Sequence, residues 1–311
     1  MRLPVQAPFH LEATVRVLQR RPTNLIDLWD GERYRRAVRI DGRPVLLEVQ
    51  NSGTLEVPDL RLSLLGGAAT AHARSDASEM ASAILGLDQD VTLYERFAEA
   101  PRTLRSTAFA LRGMRPPRYP DLFETFANVI PFQQLSVEAG MAVVAQLVRR
   151  FGEGMTVRGT RFHVFPGAGL IAEARTVSLK QSGMSLRKAQ TLRSVARSIA
   201  SGALTAGGIA ELPSSEAIDR LTEVSGIGAW SAALVLLRGF GRLDVFPPGD
   251  AGVERSLMAL MRLRSPASLA RIVDRFGDCR GLLYFYGIAS RALEAGLIRA
   301  APTLMHTTAP L

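Results

Sequence analysis

The stretch Leu221–Asp250 reads LTEVSGIGAWSAALVLLRGFGRLDVFPPGD and decides the fold of this chain. Apolar residues at helical spacing predict one helix over 215–224 and a second over 229–239. The two glycines of Ser225–Gly228 allow positive φ, and therefore a tight reversal between the helices. The segment is predicted to form a helix, a hairpin, a second helix and a Pro/Gly-rich loop that ends on Asp250.

The hairpin is a predicted phosphate site. Its main-chain amides and the positive end of the second helix point at one place, which suits a phosphate oxygen. Ile227, between the glycines, is expected to plug into the core. A plain helix–helix turn with a glycine cap is the alternative. The motif Val224–Ala232 (VSGIGAWSA) is more specific than two glycines two residues apart, and it favours the phosphate site.

Asp250 follows the stiff loop Val245–Gly249 (VFPPG) and precedes a predicted helix over 252–262. At the start of that helix the dipole and the free amides favour an ionised carboxylate. A helix cap is the commonest role for an aspartate at such a position. A cap and a catalytic role are compatible, because the cap holds the charge in place.

The segment Leu221–Asp250 resembles the helix-hairpin-helix and Gly/Pro-Asp signature of base-excision DNA glycosylases, and most closely the bacterial 3-methyladenine DNA glycosylase II type. Three further segments carry the resemblance: Phe123–Val137 (FETFANVIPFQQLSV), Ser185–Ala196 (SLRKAQTLRSVA) and Arg280–Tyr286 (RGLLYFY). The resemblance extends from about 122 to 297 and is weaker upstream.

The resemblance implies a role for individual residues. Asp250 matches the catalytic aspartate, and Trp230 matches an aromatic side chain of the base pocket. The other implied residues face DNA, either on the hairpin or on the loop that wedges into the gap left by a flipped base: Gly226, Ile227, Gly228, Ala229, Ser231, Gln134 and Leu135. The family also implies a possible monovalent cation on the hairpin carbonyls. No cofactor and no metal bound by side chains is expected.

Two implied sites keep an alternative. Trp230 begins an apolar helical stripe, so packing in the core is as good an interpretation as a base pocket. Gln134 could belong to a polar turn before an amphipathic helix capped by Ser136. Relatives place aromatic side chains where this chain has Leu234, Ala251 and Ile288, which implies a less aromatic pocket and leaves the range of damaged bases open.

Trp230 occupies the position of the nucleophilic lysine in lyase-type relatives. Tryptophan cannot form a Schiff base, and Lys180 and Lys188 are the only lysines of the chain. The resemblance therefore implies a monofunctional enzyme that uses water as the nucleophile. Such an enzyme flips the damaged base out of the duplex and hydrolyses the N-glycosidic bond. Asp250 would stabilise the positive charge on the sugar, activate the water, or do both.

Other functions remain open from the residues alone. One is a glycosylase for oxidised or deaminated bases. Another is a damaged-DNA-binding module without catalysis, against which the retained Asp250 argues. A third is a helical protein that binds no DNA and uses the hairpin only as a turn. The first two predict DNA affinity that falls steeply with salt, whereas the third predicts none.

Composition limits the classes further. The chain has 311 residues and a net charge of +9, which suits a polyanionic partner. The resemblance implies that this partner is double-stranded DNA containing damaged bases. A single cysteine, Cys279, excludes an intrachain disulfide and a four-cysteine iron–sulfur cluster. The four histidines have no metal-site spacing. No apolar run has the length of a membrane span. A cytoplasmic monomer is expected.

The fold class predicted is α+β. Residues 1–98 form a mixed domain with antiparallel strands over 11–17, 34–40, 43–50 and 54–62 and a helix over 75–87. Residues 99–300 are predicted to form an all-helical region, for which the resemblance implies two lobes with a cleft between them, and 301–311 are predicted to form a loose tail. Helices are predicted over 91–99, 122–129, 137–151, 168–174, 178–181, 186–201, 266–276 and 280–295, besides the hairpin pair and the helix after Asp250.

Overall fold

The structure, a computed structural model, describes residues 1–67 and 70–302. A mixed sheet with two helices is followed by a helical region, which confirms the predicted fold class. The part of the predicted tail at 303–311 lies outside the described residues. The predicted division at 98/99 stays a prediction, although Tyr119 packs in the core of the N-terminal sheet.

The sheet has seven strands among the described residues. Its order is β1-β5-β4-β3-β7-β6, and β2 also pairs with β3. The strands are β1 (Arg2–Leu3), β2 (Leu28–Trp29), β3 (Arg33–Ile40), β4 (Arg43–Asn51), β5 (Leu60–Leu65), β6 (Glu153–Val157) and β7 (Thr160–Val164). The predicted turn between β3 and β4 is confirmed, because Asp41 and Gly42 both have positive φ.

Two predicted strands of the N-terminal region are wrong or displaced. The segment expected as a strand over 11–17 is helix α1 (Leu11–Gln19), which begins where His10 Nδ1 accepts from the Ala13 amide. Its β-branched residues, Thr14, Val15 and Val17, are all buried. Most of 54–62 lies in a loop closed by Asn51, whose Oδ1 accepts from the amides of Gly53 and Asp59. The strand therefore starts at Leu60.

A β-hairpin interrupts the region predicted as all-helical. Strands β6 and β7 pair with each other, and β7 continues the N-terminal sheet through a parallel contact of Val164 with Ala37 on β3. Met155 and Phe162 are buried against Ala37 and Leu46. The hairpin therefore ties the helical region to the N-terminal sheet, a long-range pairing that local periodicity does not indicate.

The remaining elements are helices whose bounds follow the predicted ones closely. After α1 they are α2 (Ala71–Leu85), α3 (Arg102–Ala110), α4 (Leu122–Ala127), α5 (Val137–Phe151), α6 (Ala168–Glu173), α7 (Thr176–Lys180), α8 (Leu186–Ala200), α9 (Ala206–Ala210), α10 (Ser214–Thr222), α11 (Ala229–Gly239), α12 (Ala251–Met261), α13 (Pro266–Arg275) and α14 (Gly281–Glu294). The predictions lacked α3 and α9. The segment Val91–Glu99 is a 3₁₀ helix.

Two large cores share helix α1. Its residues Leu11, Val15 and Leu18 pack with the sheet and α2. Ala13 and Val17, on its other side, pack with the helical region. The end of α1 is therefore held between the two parts of the molecule. In the described part of the chain, no helix is both long and apolar enough to cross a membrane.

Candidate active site

The two hairpin glycines have different roles in the backbone. Gly226 has φ +87°, and a Cβ on it would lie 2.2 Å from Thr191 Oγ1 on α8. Gly228 has φ −102° and is the N-cap of α11, with open space where a Cβ would lie. The expectation of positive φ is therefore confirmed for Gly226 and wrong for Gly228. The first glycine lets the hairpin pack, and the second keeps its outer face open.

The hairpin presents free amides next to a buried anchor. Ile227 is 4 % exposed and packs in the helical core, as predicted. Ala229 is exposed at the start of α11, where among the described residues no side chain caps the first turn. The first amides of a helix have no intrahelical acceptors. This exposed end of α11 has the geometry of an anion site.

Asp250 is fixed by two hydrogen bonds. Its Oδ1 accepts from the Val253 amide at 3.0 Å, which makes it the N-cap of α12. Its Oδ2 accepts from Trp230 Nε1 at 3.1 Å. The carboxylate is half-buried and faces the large cavity between the hairpin, α12, α14 and α1. Trp230 thus contacts Asp250 from the facing helix and lines the same cavity.

The cavity has a volume of about 1140 Å³, and four aromatic side chains of the described residues line it. Leu234, Ala251 and Ile288, at the positions where the resemblance implies aromatic side chains in relatives, line it. The aromatic lining comes instead from Trp230 and from three residues that sequence reasoning did not place there, namely Tyr119, Phe132 and Tyr284. The expectation of a pocket less aromatic than that of relatives stays a prediction.

The glutamine loop lies beside the hairpin. Gln134 has φ +56° and is exposed, and Leu135 is 44 % exposed. Gln133 tethers the loop, because its Nε2 donates to Gly226 O at 2.8 Å and to Ser231 Oγ at 2.9 Å. Sequence reasoning missed Gln133, since its partners lie more than ninety residues away. The geometry is compatible with a loop that faces DNA and with a polar turn before a helix. Gln134 and Leu135 are exposed, and Ser136 caps α5.

Lys188 supports the same loop from α8. Its Nζ donates to Pro131 O at 3.1 Å and to Gln133 O at 2.5 Å. Desolvation by burial lowers the pKa of this ammonium group. The side chain belongs to the cavity lining. Lys188 is therefore engaged with backbone carbonyls beneath the exposed Gln134.

Two arginines of the cavity were not predicted. Arg20, at the end of α1, donates through Nη2 to Tyr284 Oη at 2.8 Å and lies 5.2 Å from the centre of the Phe132 ring. Burial disfavours its charge, but Tyr284, Tyr119 and Asp250 outweigh that effect and raise the pKa of Arg20. Arg238 is 1 % exposed and lies against the rings of Tyr119 and Phe285.

In the described part of the chain, one group of side chains has the donor spacing of a cation site. The structure brings together Asp41, His72 and Asp76, whose donor atoms lie within 4.8 Å of one another on the exposed surface of the N-terminal region. The spacing of these residues in the sequence did not indicate that they lie together. Because the donors are exposed, the group does not identify a particular ion. The predicted cation on the hairpin carbonyls stays a prediction, and the Gly226 carbonyl already accepts from Gln133.

Two family models match adjoining parts of the chain. Residues 127–273 match the HhH-GPD superfamily base excision DNA repair protein family, and residues 1–121 match the AlkA N-terminal domain. The Bacillus subtilis DNA-3-methyladenine glycosylase is 28 % identical over 60 % of this chain and 62 % of its own length. The Escherichia coli DNA-3-methyladenine glycosylase 2 is 30 % identical over 54 % of this chain and 57 % of its own. The chain thus spans about three-fifths of these curated relatives.

A solved structure matches over nearly the whole chain. The 3-methyladenine DNA glycosylase from Archaeoglobus fulgidus superposes with a TM-score of 0.78 at 25 % identity, over 94 % of this chain and 98 % of the other. The similarity includes the N-terminal sheet as well as the helical region. From its hairpin, its loop ending on Asp250 and these matches, the chain belongs to the HhH-GPD superfamily of base excision DNA repair proteins, with an AlkA-type N-terminal domain.

Proposed function

We propose that this protein is a DNA glycosylase that removes alkylated bases of the 3-methyladenine type in base excision repair. The observation that carries the proposal is the position of Asp250. Two hydrogen bonds fix its carboxylate on the wall of a cavity large enough for a flipped nucleotide, next to a hairpin with free amides. The relatives named as 3-methyladenine glycosylases support the same substrate class.

The hairpin and the glutamine loop would bind the two sides of a damaged duplex. The amides around Gly228 and Ala229 suit a phosphate oxygen, because the open space at Gly228 lets a DNA backbone approach. Gln134 and Leu135 project from the surface on a loop that Gln133 ties to the hairpin. An exposed apolar side chain on a tethered loop suits the space left in the base stack.

The reaction needs little beyond a fixed negative charge. As the C1′–N bond breaks, its electron pair goes to the base and positive charge develops on the sugar. Asp250 would stabilise that charge, and water would form the new C1′–O bond and lose its proton to the carboxylate or to solvent. The Trp230 indole is held by its bond to Asp250, so its ring has a defined orientation in the cavity. An alkylated purine cation would gain about 0.5–2 kcal/mol from such a ring.

Lyase chemistry is not part of the proposal. Trp230 occupies the position that carries the nucleophilic lysine in lyase-type relatives, and it offers no amine. Lys188 is the lysine that reaches the cavity lining, and two backbone carbonyls hold its ammonium group. We therefore expect borohydride to trap no covalent complex with damaged DNA. A trapped complex that disappears in Lys188→Arg would instead identify Lys188 as a nucleophile.

The first test measures base release from alkylated duplex DNA by mass spectrometry for the wild type, Asp250→Asn and Asp244→Asn. Wild type is expected to release methylated purines. Asp250→Asn should retain DNA affinity and lose release by at least about a hundredfold, the scale of one fixed electrostatic group in a transition state. Asp244 is an exposed carboxylate of the same loop, so Asp244→Asn removes an equal charge and should retain activity.

The outcomes separate the proposed enzyme from a binding module. Equal release by wild type and Asp250→Asn would remove Asp250 from the mechanism. No release by wild type, with salt-dependent DNA binding intact, would favour a damage-binding module. A loss of folding in Asp250→Asn, read from its thermal midpoint, would show that the aspartate acts mainly as a helix cap.

A further inference from the structure

A second cavity lies on the other side of α14 from the large one. Tyr284 lines the large cavity, whereas Tyr286 lines the second, which has a volume of about 270 Å³. Because each residue turns a helix by about 100°, side chains two positions apart point in nearly opposite directions. The 3₁₀ helix Val91–Glu99, helix α3 and the loop after α3 form most of the other walls of this small cavity. The proposed glycosylase chemistry uses none of its residues.

The lining of the small cavity is basic. Within the described ranges it contains Arg105, Arg112 and Arg115 and no acidic side chain. Arg112 is paired at the surface, because its Nε lies 3.0 Å from Oε1 of Glu56. Arg105 is exposed, and its Nη1 donates to the Ala98 carbonyl at 3.3 Å. In the described part of the chain, neither Arg105 nor Arg115 forms an ion pair, so two cations face this cavity without a carboxylate partner.

Arg115 is the buried cation of the pair. It is 2 % exposed, and its Nη2 donates to the main-chain carbonyls of Gln6 and Pro8, each at 3.0 Å. The hydroxyl of Tyr94, whose ring centre lies 5.4 Å from this guanidinium, is buried without a hydrogen-bond partner among the described residues. Buried charges are normally paired, and buried hydroxyls are normally hydrogen-bonded. A bound anion would supply the counter-ion that the described residues do not.

The walls around these cations are apolar and mostly aromatic. Phe97 and Tyr286 are buried with their ring centres 4.3 Å apart, and Phe109 is 43 % exposed where the cavity meets the surface. The volume lies between the cavity of about 150 Å³ that binds benzene and the pockets of about 300–1,000 Å³ that bind drug-sized ligands. The space therefore suits one aromatic ring with a short side chain rather than a polypeptide segment.

We propose that the small cavity is a binding site for a free aromatic monocarboxylate. The carboxylate would pair with Arg115, with Arg105 as the second cation at the rim, and the ring would pack against the aromatic walls. A charge-assisted guanidinium–carboxylate bond is among the stronger hydrogen bonds in proteins. A neutral aromatic compound would leave Arg115 unpaired, and a small inorganic anion would leave the apolar walls uncovered. The proposal is independent of the glycosylase function, because it uses a separate cavity.

The test is a ligand-observed NMR titration of the whole chain with 3-phenylpropionate, 3-phenylpropanamide and acetate. The amide retains the ring without the charge, and acetate retains the charge without the ring. We expect 3-phenylpropionate to bind at one site per chain, at least about tenfold more tightly than the amide, the value of a hydrogen bond to a charged group. Loss of the ring in acetate should weaken binding by at least the same factor, because the apolar contact area is lost.

Variants locate the bound probe. Arg115→Met should lower the affinity for 3-phenylpropionate to that for the amide and leave the affinity for the amide unchanged, with the thermal midpoint measured in parallel. Arg105→Gln changes an exposed residue and should weaken binding of the acid by about two- to fivefold, the value of an exposed ion pair. Arg102→Gln removes an equally exposed charge of α3 that does not line the cavity, and it should have no effect. Phe109→Ala should weaken binding of acid and amide alike.

Four outcomes would overturn the proposal. They are no binding of 3-phenylpropionate to the wild type, equal affinity for the acid and the amide, equal affinity for the acid and acetate, and undiminished binding of the acid to both Arg105→Gln and Phe109→Ala. The last would place the probe elsewhere, for example in the large cavity. If Arg115→Met does not fold, Arg105→Gln and Phe109→Ala decide the question, because both change exposed residues. Base release from alkylated DNA is measured separately, so failure of the proposed glycosylase function leaves this test intact.

Discussion

Arg36 and Arg238 are both 1 % exposed, yet their surroundings differ completely. Arg36, on β3, donates through Nη1 to Asp27 at 2.6 Å and through Nη2 to Glu124, so it joins the sheet to α4. The three guanidinium nitrogens of Arg238 find no acceptor in the described residues. A buried ion cluster that pairs its charges serves the fold. Unpaired buried charge beside a cavity is consistent with a group kept for a ligand.

The largest effect expected from this difference concerns stability. Arg36→Met leaves two carboxylates without their shared partner and should lower the free energy of unfolding by about 3–5 kcal/mol. Arg238→Met loses contacts with two aromatic rings but also removes an unpaired buried charge, so the net change should stay within about 1 kcal/mol. Urea unfolding followed by circular dichroism measures both. Similar losses in the two variants would mean that Arg238 is structurally paired after all.

The pH dependence of the Arg36 cluster gives the next largest effect. Burial raises the pKa of Glu124 to about 7, against the opposing attraction of Arg36. Between pH 4.5 and 7 the folded protein therefore retains a proton that the unfolded chain has lost. The stabilisation is complete below the unfolded pKa and is lost as the pH rises through the folded one. From pH 5 to 8 this group should lower the free energy of unfolding by about 2–3 kcal/mol.

Glu124→Gln should remove this slope, because the amide does not titrate. The measurement is the urea midpoint at several pH values from 5 to 8 for the wild type and the variant. Glu95→Gln, an exposed substitution, should retain the wild-type slope. If Glu124→Gln and wild type show the same dependence, the titrating group lies elsewhere. The cluster would then be fully ionised throughout this range.

Local chemistry explains what the sequence could predict. The period of apolar residues predicts both ends of α5 and α11 correctly. The loop before Asp250 predicts that this residue caps the start of the next helix. Gly226 follows from turn chemistry. These features depend on neighbours within a few residues, which is the range over which periodicity and capping act.

Long-range contacts explain the features that could not be predicted from the sequence. Helix α1 resembles a strand because its β-branched residues are compatible with either, and packing between two cores decides for a helix. Strand β7 pairs with β3, more than a hundred residues away, and β6 joins the sheet through β7. Arg20, Tyr119 and Gln133 reach the cavity or the hairpin for the same reason. The sequence could therefore predict the hairpin and Asp250 but not the charge of the cavity.

The smallest expected change in stability concerns the two hairpin glycines. Gly226 is packed against a neighbouring side chain, whereas Gly228 faces open space. Gly226→Ala places a methyl group at φ +87°, against Thr191, and should lower the free energy of unfolding by about 1–3 kcal/mol. Gly228→Ala places one in open space at an ordinary φ and should change stability by less than about 0.5 kcal/mol. If the amides around Gly228 bind a phosphate, its variant should still lose affinity for every duplex, damaged or not.

The matched measurements are thermal unfolding and salt-dependent DNA binding of both variants. Adding Thr191→Ala to Gly226→Ala removes the atoms nearest the new methyl group and should restore part of the stability, because only the backbone strain then remains. Undiminished DNA affinity of Gly228→Ala would move the phosphate site away from the hairpin. A selective loss for damaged duplex would place Gly228 near the flipped base instead. Open space at Gly228 would then serve lesion recognition rather than general binding.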